Sequence, residues 1–179
     1  MKTVKLITLL LLIMQGVFSQ SFLIADEGNK VSFSIKNFGI KTTGNFTGLK
    51  GNIAFNPKAL STSMFNVSVN AATVNTGNNS RDKHLRKSEY FDVEKFALIK
   101  FVSTIITASS TAGHFLAEGN LTIKGITKKI QFGFSATAVN SGYNFKGDFE
   151  INRRNFGVGG SSISLADNLK VMLDVTAKK

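Results

Sequence analysis

An all-β antiparallel fold with one short helix is predicted by three observations. Apolar and polar residues alternate with period two over most of the chain, and turn residues separate the alternating runs. One stretch, residues 80–90, abandons the alternation for helix-forming residues.

The runs follow one another along the whole sequence. Val31, Phe33 and Ile35 alternate with Ser32, Ser34 and Lys36, and Phe65, Val67 and Val69 alternate with Asn66, Ser68 and Asn70. Ile130, Phe132, Phe134 and Ala136 oppose Gln131, Gly133, Ser135 and Thr137. Tyr143, Phe145, Phe149 and Ile151 face away from Asn144, Lys146, Asp148 and Glu150. Val171, Leu173, Val175 and Ala177 close the series, with Met172 as its exception. Side chains on a strand point to opposite faces, so each run has one apolar and one wet side, as in antiparallel sheet covered on one face. Gly28-Asn29, Gly39, Asn56-Pro57, Ala112-Gly113, Lys124-Gly125 and Asn140-Ser141-Gly142 supply the turns. The spacing predicts eight to ten strands and no internal linker. Between Asn79 and Phe91, Ser80 is the expected N-cap, Asp82 suits the helix dipole, and Asp82/Arg86 is an i,i+4 pair.

Strands with one apolar face must stack as two sheets or close on themselves. A closed barrel of about eight strands has an interior that side chains fill or that holds one small ligand. The chain carries 16 Phe, 2 Tyr and no Trp, so its aromatic surface has little hydrogen-bonding demand. Phenylalanine suits both a filled core and the wall of a cavity for an apolar chain, and composition does not choose between them.

Lys2 and Lys5 precede an apolar run, Leu6 to Met14, broken only by Thr8, and Val17-Phe18-Ser19 offers a cleavage site. This is the layout of a secretory signal peptide, residues 1–19, and the run is too short to span a bilayer as a helix. Cleavage would leave residues 20–179 as a single domain of 160 residues, periplasmic or secreted. The formal charge of +11 would fall to +9 with Lys2 and Lys5. The basic residues are scattered and Arg occurs only four times, which speaks against nucleic acid; attraction to an anionic membrane surface stays open. The absence of cysteine excludes disulfides, thiol nucleophiles and thiolate metal sites. Two histidines, His84 and His114, are too few for a histidine metal centre, so no metal or other cofactor is expected.

Four stretches together resemble the YceI-like family of exported lipid-binding barrels. They are Val31–Gly39 with Gly44–Gly48 and Gly51–Pro57, then Asn75–Leu85 running on to Tyr90–Asp92, then Gly119–Thr127, and lastly Arg153–Gly159. Their order and spacing agree over nearly the whole mature chain. Asn37 departs from the pattern, where the family usually carries His. The resemblance implies a closed antiparallel lipocalin-like β-barrel with a helical insertion near one mouth. It also implies a non-catalytic protein whose interior holds a polyisoprenoid, an isoprenoid quinone or a fatty-acid derivative. The expected apolar wall comprises Phe33, Ile35, Phe46, Ile53, Phe55, Phe65, Phe91, Phe101, Phe132, Phe134 and Phe145.

Arg81, Asp82, His84 and Leu85 match the family's Arg-Asp-x-His-Leu motif. On a helix Arg81, His84 and Leu85 share a face, with Asp82 turned aside. They read either as a rim for the ligand's head group, with Leu85 and Phe91 over its tail, or as a clamp fixing the helix to the barrel. Arg153, Arg154, Asn155 and Phe156 with Gly157 and Gly159 read as a packed bend, not a nucleotide loop. His114 reads as a solvated turn residue. The sequons at Asn45, Asn66, Asn78 and Asn120 carry little weight in a chain this rich in Asn, Ser and Thr. A small outer-membrane barrel and an enzyme acting on an isoprenoid-type lipid are the rival readings. The first lacks aromatic girdles and the second lacks a readable acid/base pair. Oligomeric state, including a homodimer, is left open.

Overall fold

The computed structural model describes residues 21–24 and 28–179, so the expected signal peptide lies outside the described residues. The strands are β1 (Ser21–Ile24), β2 (Lys30–Asn37), β3 (Ile40–Phe46), β4 (Lys50–Ala54), β5 (Met64–Asn70), β6 (Leu98–Ala108), β7 (His114–Ile123), β8 (Ile126–Val139), β9 (Gly142–Asn152) and β10 (Leu165–Lys178). One helix, α1 (Asn79–Leu85), stands between β5 and β6.

All pairings are antiparallel, in the order β1-β4-β5-β6-β7-β8-β9-β10, and β1 returns to β10 to close a ring of eight. The hairpin β2–β3 continues the same wall. On the free edge of β10, Ala177 and Lys178 pair with β1, whereas Leu165 to Asp174 pair with β2. Ten strands therefore make eight staves, two of them broken. At the first break the Asn29 side chain accepts from the Thr176 backbone N–H at 2.7 Å, satisfying a donor that the sheet would otherwise leave unpaired. At the second break, β3 touches the chain beyond β5 through the Asn45/Asn75 bridge, with bonds of 2.9 and 3.0 Å.

The expected turns are in place. Phe38-Gly39 and Lys124-Gly125 both have two consecutive positive φ values, as a two-residue hairpin turn demands. In β6 a bulge between Ser103 and Ile105 shifts the inward face, so Phe101, Ser103 and Ile106 are buried. The Ser103 hydroxyl accepts from the Phe65 N–H at 2.8 Å and repairs the ladder there.

Around the helix, three local expectations need correction. The N-cap is Asn78, whose side chain accepts from the Arg81 N–H at 3.0 Å; Ser80 lies inside the first turn. The helix ends at Leu85, not near residue 90. No Asp82–Arg86 ion pair forms among the described residues. Arg86 instead donates to the carbonyls of Ala72 and Val74 at 2.7 and 3.2 Å, groups that no strand pairs.

Candidate functional site

The barrel interior has two halves of different character. At the β1 end it is solid: Phe55 lies among Phe65, Phe115, Phe134, Tyr143 and Phe145, with ring centroids 5.1–6.4 Å apart and mostly edge-to-face. Phe22 of β1 caps this cluster against Tyr143 at 5.6 Å. The other half encloses a cavity of about 480 Å³. It is lined from β2 by Val31, Phe33 and Ile35, from β10 by Leu169, Val171 and Leu173, and from β8 and β9 by Phe132, Phe149 and Ile151. Phe132 stacks on Phe149 at 4.8 Å and forms the floor above Phe134.

Of the eleven expected wall residues, Phe33, Ile35, Phe46, Phe91, Phe101 and Phe132 line this cavity. Ile53, Phe55, Phe65, Phe134 and Phe145 do not; they are buried in the solid half, where neighbouring rings occupy the space a ligand would need. Sequence reasoning missed Tyr90, Phe149, Val171 and Leu173 as lining residues. The last three lay in the alternating runs of β9 and β10 and could have been included on that ground.

The segment from Ala71 to Phe91 lies over the cavity, and its polar residues hold it in place. Asp82 is buried and turned away from the cavity; its carboxylate accepts from both the backbone N–H and the hydroxyl of Thr76. Arg81 donates through Nε to the Thr76 hydroxyl at 2.7 Å and through Nη2 to the Thr76 carbonyl at 2.9 Å. Arg81 and Asp82 are thus joined through Thr76 and form no direct pair. Arg81, His84 and Leu85 line the cavity, and the His84 ring packs edge-on to Tyr90 at 4.9 Å. Outside the cavity, the carboxyl of the exposed Glu89 is held under its ordinary value by a hydrogen bond from its own backbone N–H, aided by Ser88.

Arg153 lines the cavity too, as does Lys100 of β6, and Arg153 is 3% exposed. It donates to the carbonyls of Val158, Gly160, Leu165 and Ala166 at 2.9–3.3 Å and to the Asp167 carboxylate at 2.9 Å. This ties the loop after β9 into a fixed wall. Gly159 passes so close to Tyr90 that a Cβ there would lie 2.9 Å from the ring, and its N–H donates to the Glu89 carbonyl at 2.8 Å. No carboxylate lines the cavity among the described residues. Its polar groups are basic or neutral, among them Arg81 and His84 on α1, Arg153 with Ser162 and Ser164 after β9, and Ser32, Ser68 and Lys100 on the strands.

The profile of the YceI-like domain matches residues 22–177. The chain belongs to the YceI-like family. A relative from Pseudomonas fluorescens, a UPF0312 protein, is 33% identical over 156 residues, covering 79% of this chain and 78% of the relative. A second, from Shewanella denitrificans, is 28% identical over 180 residues, 94% of this chain and 93% of its own. Among solved structures, BcnA of Burkholderia cenocepacia superposes with a TM-score of 0.82 at 21% identity, over 87% of this chain and 99% of BcnA. The YceI protein of Campylobacter jejuni gives 0.68 at 26% identity, over 76% and 84%. A polyisoprenoid-binding domain from Saccharophagus degradans gives 0.71 at 14% identity, over 89% and 98%. The closed eight-stave barrel with its short helix is therefore the YceI-like barrel.

Proposed function

We propose that the protein binds one long-chain apolar or amphiphilic ligand, a polyisoprenoid, isoprenoid quinone or fatty-acid derivative, in the half-open barrel, and carries or stores it without chemical change. The observation that carries this reading is the apolar cavity of about 480 Å³, within the usual range for small-molecule sites of ~300–1,000 Å³. The polyisoprenoid-binding neighbour supports it from a different direction.

Size refines the ligand. A methylene needs about the space of a water molecule in liquid, ~30 Å³, so the cavity seats about sixteen carbons. Sixteen methylenes at ~0.8 kcal/mol each amount to ~13 kcal/mol. Ordering the chain and losing its free motion cost at least ~4 kcal/mol. The net is therefore at most ~9 kcal/mol, which caps the affinity at a dissociation constant of about a few tenths of a micromolar. A tail beyond about three isoprene units has to emerge at the mouth, because the aromatic floor blocks the other end. Arg81 and His84 are placed to meet a head group; Asp82 acts as the clamp that fixes them.

An outer-membrane barrel fits less well, since the outward positions here carry charge: Lys146 pairs with Asp174, Lys170 with Asp148 and Lys129 with Glu118 on the outer face. Export through a cleaved signal peptide to the periplasm or medium completes the reading. Native mass spectrometry of protein purified from its own host should show an extracted lipid that is released on unfolding. Protein that carries no lipid and takes up none when offered would refute it.

A further inference from the structure

The rim of the cavity carries features that ligand burial alone does not require. Phe38, Ile40 and Ile163 are 79%, 72% and 109% exposed, among the largest exposures of any apolar side chain described. They form one lip. Phe38 and Gly39 make the turn between β2 and β3, and the Phe38 N–H donates to the Ser164 carbonyl at 2.8 Å, joining that turn to the loop that holds Ile163. Phe38, Ser162 and Ser164 also line the cavity, so the lip is continuous with its mouth. Phe38 has φ 49°, a conformation that bulky residues rarely adopt and that Asn or Gly would take more readily. A strained backbone supporting a ring in open water points to a partner for that ring.

Charge identifies the partner. Lys36 and Lys41 face each other across the hairpin just behind the apolar tip, and both are exposed. Neither belongs to an ion pair among the described residues. The sequence has no carboxylate between Glu27 and Asp82. On the loop side, Asp167 is already held by Arg153 and Arg154. An apolar tip backed by unpaired lysines fits the boundary of an anionic bilayer, with side chains in the acyl layer and ammonium groups among the head groups. A second copy of this chain fits poorly, because a two-fold contact at the lip would oppose the lysines to themselves.

We propose that the lip formed by Phe38, Ile40 and Ile163, backed by Lys36 and Lys41, docks the cavity mouth on an anionic lipid bilayer. This rests on the lipid-binding reading above, to which it adds the route: the ligand's tail passes between acyl layer and cavity without crossing bulk water.

The test uses the whole mature chain and vesicles of phosphatidylglycerol with phosphatidylethanolamine, against vesicles of phosphatidylcholine. The protein should co-sediment with the anionic vesicles and less with the neutral ones. The double variant Ile40→Ser, Ile163→Ser should lose about tenfold or more of that affinity. The variant Lys36→Gln, Lys41→Gln should lose the preference for anionic vesicles and most of its sensitivity to salt. Neither Ile40 nor Ile163 lines the cavity, so the double variant should take up the apolar dye phenylnaphthylamine in vesicle-free solution as the parent does. Dye uptake by the parent without binding to anionic vesicles, or vesicle binding unchanged in the double variant, overturns the docking. An oligomer that the double substitution dissolves, seen by sedimentation velocity, overturns it too, since the lip would then belong to a second copy. Absence of dye uptake by the parent strikes instead at the cavity reading beneath it.

Discussion

Replacing Phe55 by alanine tests whether the solid half of the barrel is a close-packed core that stays closed to the cavity. The ring is 1% exposed and touches five aromatic neighbours, the nearest at 5.1 Å. Removing such a side chain costs about 3–5 kcal/mol, the transfer of the lost atoms plus the hole they leave. The upper part of that range applies here, because rings on closed staves cannot collapse far into the gap. With a urea m-value of ~2 kcal/mol per molar for a chain this size, the midpoint should fall by about 2 M at unchanged slope. Equilibrium urea unfolding followed by circular dichroism measures it. Phe55 does not line the cavity and meets its floor only through Phe134, so the variant should keep the parent's preference between longer and shorter saturated chains in competition against a fluorescent fatty acid. A midpoint shift corresponding to less than about 1 kcal/mol would show that the aromatic cluster is not close-packed. A gain in preference for the longer chain would show that the hole opens into the cavity.

Three further outcomes follow from the clamps and the surface charges. Arg153→Met removes the donor from four carbonyls and leaves Asp167 with Arg154 alone. It should destabilise by about 3–5 kcal/mol, with hydrogen exchange in residues 157–167 accelerating before that of the barrel strands. Asp82→Asn weakens both bonds to Thr76 and should cost about 2 kcal/mol in urea unfolding, while lowering affinity for ligands with an anionic head group by loosening Arg81. Asp174 has its carboxyl held below the ordinary value, first by the Asn144 amide at 2.9 Å and then by Lys146, against partial desolvation. A depressed carboxyl adds stability above the unfolded value of about 3.9 and loses it as pH falls through the folded one. Asn144→Ala should therefore flatten the acid side of a plot of melting temperature against pH at low salt. The effect should stay below about 1 kcal/mol, since the pair is largely solvated.

Alternation in the sequence reveals which face of a strand is buried, and here it found the inward Phe residues of β2, β5, β8 and β9. It carries no information on height along the barrel. Phe132 and Phe134 have the same pattern, yet one lies under the cavity and the other inside the filled half. What separates them is the register between staves and the breaks at Asn29 and near Asn45, both set by long-range pairing. The bulge in β6 likewise hides in a sequence whose apolar residues are merely out of step. At α1, helical spacing favoured Arg86 as the partner of Asp82. Unpaired carbonyls at Ala72 and Val74, invisible in the sequence, outcompeted it. Helix-face geometry did place Arg81, His84 and Leu85 together, because that arrangement is local.

The closure of β10 on β1 and β2 has a consequence for the order of events in synthesis. Met172 of β10 lies opposite Ser32 of β2, 140 residues away in the chain. A ribosome must therefore release nearly all of the domain before the ring can form. Until then the early hairpin β2–β3 has no β10 to lean on, and its apolar face stays wet. Such non-local pairing folds slowly, and that open interval is what the export proposed above would require.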